Sequence, residues 1–213
     1  MQDNRQYDYT GHPENLRDEY PIIASLVSEG ARVIDLGCGN GSLLRLLRDQ
    51  RRCVVSGVEL SPTGVASAKA KGLDVKEGRI DEKLPFRDGE FDYAVCNVTI
   101  QMVLFPEVLL REMGRIAKRQ IVSFPNFAHY RNRLELLIHG RMPRALLFGY
   151  AWYSTGHIHQ LSARDFEEFA RELGFRVRRR EVLGGGSKSA VKRFLSRRFP
   201  NLFAVTCIYE LDR

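Results

Sequence analysis

Apolar positions along this chain recur in two alternating rhythms. Leu16, Tyr20, Ile23 and Val27 return at helical spacing and predict a helix over Asn15–Glu29, which Pro21 either opens or kinks. A short apolar run, Ala31–Asp35, then reads as a strand, and Ser42–Arg48 carries Leu43, Leu44, Leu46 and Leu47 on a following helix. Cys53–Val58 is the next strand. Ser61-Pro62 supplies an N-cap and a first-turn proline for a helix that ends near Gly72. Leu73–Glu77 is a third strand, and the loop DEKLPFRDGE leads to a fourth at Phe91–Asn97. Pro106–Lys118 has Val108, Leu109, Met113 and Ile116 on one helical face, and Gln120–Phe124 is a fifth strand. Strands alternating with helices of this length predict an α/β protein with right-handed βαβ units and a mostly parallel sheet.

The rhythm breaks after Pro125. Residues 126–160 mix Phe127, Tyr130, Phe148, Tyr150, Trp152 and Tyr153 with arginines, a composition suited to a lid, a docking segment or a filler of the core. Ser162–Leu173 returns to helical spacing, with Asp165 three residues after Ser162 as a capping pair and Gly174 as a stop. Strands at Phe175–Leu183 and Leu202–Leu211, separated by GGGS and a basic helix, complete the pattern. The expectation is one domain over 1–213, with residues 1–30 as a helical lead-in and 126–160 as an inserted segment.

Composition narrows the class. The 213 residues, 44% of them hydrophobic, suit one domain with a filled core. No apolar run approaches the roughly 20 residues that span a bilayer, and the polar start MQDNRQYDYT lacks an export core, which predicts a cytoplasmic location and no membrane. Cys38, Cys53, Cys96 and Cys207 form no CxxC pair, so reduced buried thiols are expected and no metal site. The net charge of +7 is densest at Arg176–Arg180 and Lys188–Arg198. With no zinc finger, RRM aromatics or KH loop beside them, solvated faces explain these clusters better than nucleic acid does.

The candidate chemistry lies in VIDLGCGNGS, Val33–Ser42. Its glycines are spaced GxGxG, unlike the GxGxxG of a dinucleotide site, and Asp35 at the strand end would repel a pyrophosphate. S-adenosylmethionine has no phosphate and carries a sulfonium and an ammonium, so an acid there is favourable. Glu59, ending the second strand, can accept from both hydroxyls of a ribose, a contact that NAD would share.

VIDLGCGNGS followed by GVELS resembles the first two motifs of the class I S-adenosylmethionine-dependent methyltransferases, and FDYAVCNVTIQMV resembles their fourth-strand segment. SFPNFAHYRNRLELLIHGRMP and WYSTGHIHQLSARDFEEFARELGF resemble the MetW family of methionine biosynthesis, and these are the more discriminating segments. The resemblance, over about residues 31–213, implies a Rossmann-like class I methyltransferase fold: a seven-stranded, mostly parallel sheet with an antiparallel last strand and helices on both faces. It implies that Asp35, Gly37, Cys38, Gly39 and Gly41 surround the methionine moiety of the cofactor and that Glu59, beside Leu60, holds the ribose. Asn97 and Val98 would line the cavity near the sulfonium. Arg79 stands where this fold usually has an acid for the adenine amino group; Asp81, or backbone groups around Ile80, are the substitutes. S-adenosylhomocysteine would be the product.

Methyl transfer needs an aligned acceptor and, where the nucleophile arrives protonated, a base. His129, His157, His159 and Tyr153 are the weak candidates. The sequence after the fourth strand, Asn97-Val98-Thr99-Ile100, is not a clamp for exocyclic base nitrogens, which counts against DNA. The resemblance implies homoserine O-acyltransferase as a partner. It leaves three readings: a methyltransferase with a small-molecule acceptor, a non-catalytic cofactor-binding activator of the acyltransferase, and an RNA methyltransferase using the basic C-terminal third.

Overall fold

The computed structural model describes residues 8–11, 16–143, 156–184 and 190–213. Seven strands form one sheet: β1 (Arg32–Leu36), β2 (Val54–Glu59), β3 (Asp74–Glu77), β4 (Phe91–Asn97), β5 (Ala117–Pro125), β6 (Arg176–Leu183) and β7 (Thr206–Asp212). Their order is β3-β2-β1-β4-β5-β7-β6, with β7 antiparallel to both β5 and β6 and the remaining pairs parallel. The chain runs outward from β1 through β3 and then restarts at β4 on the other side of β1. Ligands of open α/β sheets lie beyond the strand ends at such a reversal.

Alternating side chains explain why helices cover both faces. Val33, Val95, Ile121 and Ile208 point to one face, where α1 (Tyr20–Leu26) and α2 (Ser42–Arg51) cover them with Ile23, Leu43 and Leu47. Ile34, Ala94, Cys96, Val122, Phe124 and Tyr209 point to the other, against α4 (Pro106–Ile116) and α6 (Ala163–Glu172). Phe124, Phe166 and Tyr209 meet there with ring centroids 4.9–5.9 Å apart. A smaller cluster seats α3 (Pro62–Ala70) on Val75 and Leu44. The remaining helices are α5 (Tyr130–His139), α7 (Ala190–Arg198) and α8 (Pro200–Phe203).

Several expected boundaries move, each for a local reason. The leading helix is short: α1 starts at Tyr20 with Pro21 in its first turn, Val27 turns extended, and Leu16 lies exposed outside it. The last strand starts at Thr206, because Pro200 opens the helical turn α8 over Leu202 and Phe203. Within the segment after β5, α5 is an unforeseen helix, and Asn126 is a fully buried clasp whose amide donates to the carbonyls of Pro200, Asn201 and Ala204. The DEKLPFRDGE loop is tied down by Arg115, which donates to the carbonyls of Leu84 and Phe86, while Glu112 accepts from the Leu84 N–H. Residues 144–155, with Tyr153, lie outside the described residues.

The arginines of β6 are matched by acids. Arg178 pairs with Asp212 at 2.6 Å and Arg180 with Glu167 at 3.0 Å, and Arg176 and Arg179 lie 3.6 Å from Asp212 and Glu210. The charge run therefore protects a sheet edge from further pairing. Among the described residues no helix is long and apolar enough to cross a membrane.

Ser162 and Asp165 close the expected capping box of α6, with reciprocal bonds of 2.9 and 3.2 Å. Ser162→Ala should lower unfolding free energy by about 1 kcal/mol in a denaturant titration, and Ser162→Asn by much less.

Candidate functional site

Asp35 sits near the end of β1, paired in register with Gly57 of β2 and Val95 of β4, and is 2% exposed. The turn that follows is shaped by glycine. Gly37, Gly39 and Gly41 all have left-handed backbones, with φ of +82°, +55° and +76°. Side chains would also collide: a Cβ on Gly37 would lie 2.5 Å from Thr99 Cγ2, and one on Gly41 2.5 Å from Leu73 Cδ1. Only glycine combines these dihedrals with such close approach. The Gly37 and Cys38 N–H groups donate to Val58 O at 2.8 and 3.2 Å, which pins the turn to the tip of β2.

That anchoring brings Glu59 beneath the turn. Its Oε2 accepts from the Gly39 N–H at 2.7 Å and its Oε1 from the Ser61 N–H at 2.8 Å, and the residue is buried. Burial raises the Glu59 carboxyl above its ordinary range, and these backbone donors pull it partly back. Asp35 is in a harsher environment. Its Oδ1 has no hydrogen-bond donor among the described residues. Burial first, and the Glu59 charge second, push its carboxyl up to about 7, against a smaller opposing pull from Arg17. The structure thus brings together the two acids that the sequence placed on neighbouring strand tips. Burial and both acids also raise the Cys38 thiol, so it stays protonated.

The opposite lip is the tip of β4. Asn97 accepts from the Ser123 hydroxyl, and its amide donates to Glu19 at 3.4 Å. Val98 has φ +52°, a left-handed conformation that is costly for a β-branched residue, held by its N–H donating to both Ser123 O and Oγ at 3.0 Å. Leu60 follows Glu59 half-buried, and Ile80 belongs to the buried core.

Asp81 has another role in the fold. Its Oδ2 accepts from the N–H groups of Leu104 and Phe105 at 2.8 and 3.3 Å, and its Oδ1 pairs with Arg79 at 2.8 Å. The residue that could have replaced the missing adenine-binding acid thus ties down the loop before α4. Two of the histidines, His129 and His157, are also engaged in the fold. His129 is the N-cap of α5, its Nδ1 accepting from the Arg131 N–H at 3.2 Å. Burial, then the Arg131 charge, lower its basicity. His157 is also lowered by burial; its Nε2 lies 3.5 Å from the Gln101 amide. His159 is exposed, its backbone N–H donating to Gln101 O. His157 and His159 share a small hollow with Gln101, Asn126 and Asn132 rather than the glycine turn.

Tyr9 was invisible to sequence reasoning. Its N–H donates to Thr63 Oγ1 at 2.9 Å, and its ring lies over the turn: a Cβ on Gly39 would fall 2.9 Å from Tyr9 Oη, and one on Gly64 3.1 Å from Tyr9 Cδ2 and 3.0 Å from Glu59 Cγ. The contact spans 54 positions along the chain, beyond any periodic signal. Thr99 and Ser123 were likewise missed, and they shape the two lips.

The raised Asp35 carboxyl has a signed consequence. Its folded value, about 7, exceeds the ordinary 3.8, so its stabilising contribution is complete below about pH 4 and is lost as pH rises through 7. Asp35→Asn removes that loss. Unfolding titrations of the ligand-free protein should show the variant gaining on wild type by on the order of 4 kcal/mol between about pH 4 and pH 8. A difference that stays constant with pH would mean Asp35 titrates normally.

Comparison with known proteins places the chain. A curated relative, the bifunctional methionine biosynthesis protein MetXA/MetW of Rhodopirellula baltica, is 37% identical over 148 residues, 65% of this chain and 24% of the relative. Trans-aconitate 2-methyltransferase of Mycolicibacterium gilvum is 33% identical over 55% of this chain and 44% of its own length. The chain thus spans about a quarter and under half of these two relatives. Among solved structures, an S-adenosylmethionine-dependent methyltransferase from Mesorhizobium loti superposes with a TM-score of 0.67 at 19% identity, covering 92% of this chain and 97% of the other. Magnesium protoporphyrin IX methyltransferase from Synechocystis, with bound SAH, gives 0.61 at 19% identity, over 90% and 78% of the two chains. The fold is that of the class I methyltransferases. The family profile described as methionine biosynthesis protein MetW matches residues 17–211, and the chain belongs to the MetW family.

Proposed function

We propose that this protein binds S-adenosylmethionine and S-adenosylhomocysteine at the acidic glycine turn and works in methionine biosynthesis alongside a homoserine O-acyltransferase. The observation that carries the ligand is the orphaned oxygen of Asp35, buried beside a second buried acid. Two such acids are unstable together unless a cation joins them, and the ligand's ammonium is such a cation.

In this reading Asp35 takes the ammonium. Glu59, already oriented by the Gly39 and Ser61 N–H groups, accepts from the ribose hydroxyls with its remaining lone pairs. Tyr9 roofs the turn, Leu60 and Ile80 border the adenine, and Asn97 with strained Val98 forms the wall toward the acceptor. When bound, the cofactor supplies an electrophilic methyl group. The chain's part is to hold a small-molecule acceptor in line and exclude water. Burial lowers the basicity of His129 and His157, which favours an acceptor that presents its own lone pair. A second reading, a non-catalytic activator of the acyltransferase, is favoured by Asp81 and Arg79, which are paired with each other instead of presenting an acid to adenine. The acyltransferase itself is suggested by the MetXA/MetW relative, where both parts share one polypeptide.

Calorimetry should show saturable binding of both nucleosides, weakened about 10- to 100-fold in Asp35→Asn and in Glu59→Ala. Absence of binding by the wild type would defeat the ligand assignment. Acyltransferase activity should rise when this protein is added. A rise that persists in Asp35→Asn supports the activator, and no rise removes the acyltransferase from the account.

A further inference from the structure

Helix α5 turns most of its apolar side chains outward, Leu136 on the Asn132 side included at 48% exposure. Its buried residue is Asn132, whose amide donates to Phe127 O at 2.9 Å. Leu134, Leu137 and Ile138 are 47%, 81% and 68% exposed, and Met142 just beyond the helix is 42% exposed. At roughly 100° per residue, Leu134, Leu137 and Ile138 form one stripe almost opposite Asn132. A helix that only completes a core points such a stripe inward. Contiguous exposed apolar residues of this kind mark a surface that another molecule covers.

The rim of the stripe carries arginines, with one acid, Glu135, four residues after Arg131. Arg131 and Arg133 flank it on either side, and exposed Arg141 lies past its end. Arg133 is held by the backbone carbonyls of Ala128 and Asn201, so those contacts leave its charge uncompensated. Two copies of this face meeting across a two-fold axis would crowd arginine against arginine. A different chain with an apolar patch edged by acids fits instead. The relative that carries a MetXA part and a MetW part in one polypeptide indicates which chain travels with this one.

Building on the acyltransferase reading above, we propose that the Leu134–Leu137–Ile138 stripe of α5, with its arginine rim, is the surface that docks the homoserine O-acyltransferase. Tyr130 packs the start of the helix against the body of the domain, its ring 5.7 Å from that of Phe203.

The test is a binding titration of the full chain against the purified acyltransferase of the same organism, with light scattering on each protein alone. Leu137→Glu combined with Ile138→Glu should weaken binding at least 30-fold. Arg131→Glu should weaken it about 3- to 10-fold, with a shallower dependence on salt. Val54→Glu, at an exposed position at the start of β2, should leave binding unchanged. All variants should keep wild-type affinity for S-adenosylhomocysteine, showing an intact fold. If the double variant binds the acyltransferase as tightly as wild type, the α5 assignment is overturned while the partnership stands. If wild type does not bind the acyltransferase, the partnership itself fails. Self-association of the wild type that the double variant abolishes would make a second copy the occupant and overturn the proposal.

Discussion

Everything in the site follows from one unfavourable act: burying the Asp35 carboxyl with no donor, among the described residues, for one of its oxygens, within the field of a second buried acid. Neither group is there to stabilise the ligand-free protein. Burial alone works against ionised carboxylates, and Glu59 adds repulsion. Such an arrangement persists because the surrounding fold over-determines it. The parallel pairing of β1 with β2 fixes where the two strands end, and the Val58 carbonyl holds the glycine turn between them. On the proposed reading, a cationic ligand relieves this repulsion.

The same economy appears at the other lip. Val98 is held left-handed by two bonds to Ser123, and Ser123 also donates to Asn97. The strain lies where the sheet order reverses, between the tips of β1 and β4. Further along, Asp81 and Asn126 show buried polar groups closing loops onto the domain body. The two halves of the molecule differ in character. The glycine half gathers the buried acids, and the segment after β5 projects apolar side chains of a helix outward.

What was legible in the sequence is what is short-range. The Ser162–Asp165 box, the Ser61 N-cap with Pro62, and the strand Phe91–Asn97 emerged as expected because each depends on neighbours a few positions away. The acids of the site were legible for the same reason, since they end strands whose apolar runs are plain. Long-range partners were not. Tyr9 reaches Thr63 across 54 positions, and Asp81 reads as an available carboxylate until its bonds to Leu104 and Phe105 appear. Helix α5 was hidden for a different reason: its leucines look like core residues, and only the fold shows that Asn132 faces inward.

The most direct test of the poised acid pair is the proton balance of ligand binding. Titrations with S-adenosylhomocysteine, run calorimetrically in buffers of different ionisation enthalpy, measure protons released per ligand bound. If Asp35 is held protonated near neutrality and ionises when the ligand's ammonium arrives, up to one proton should be released at about pH 6, falling to none by about pH 9. Binding with no proton release across that range would mean that Asp35 is already ionised, and that the cleft is not built around a frustrated acid.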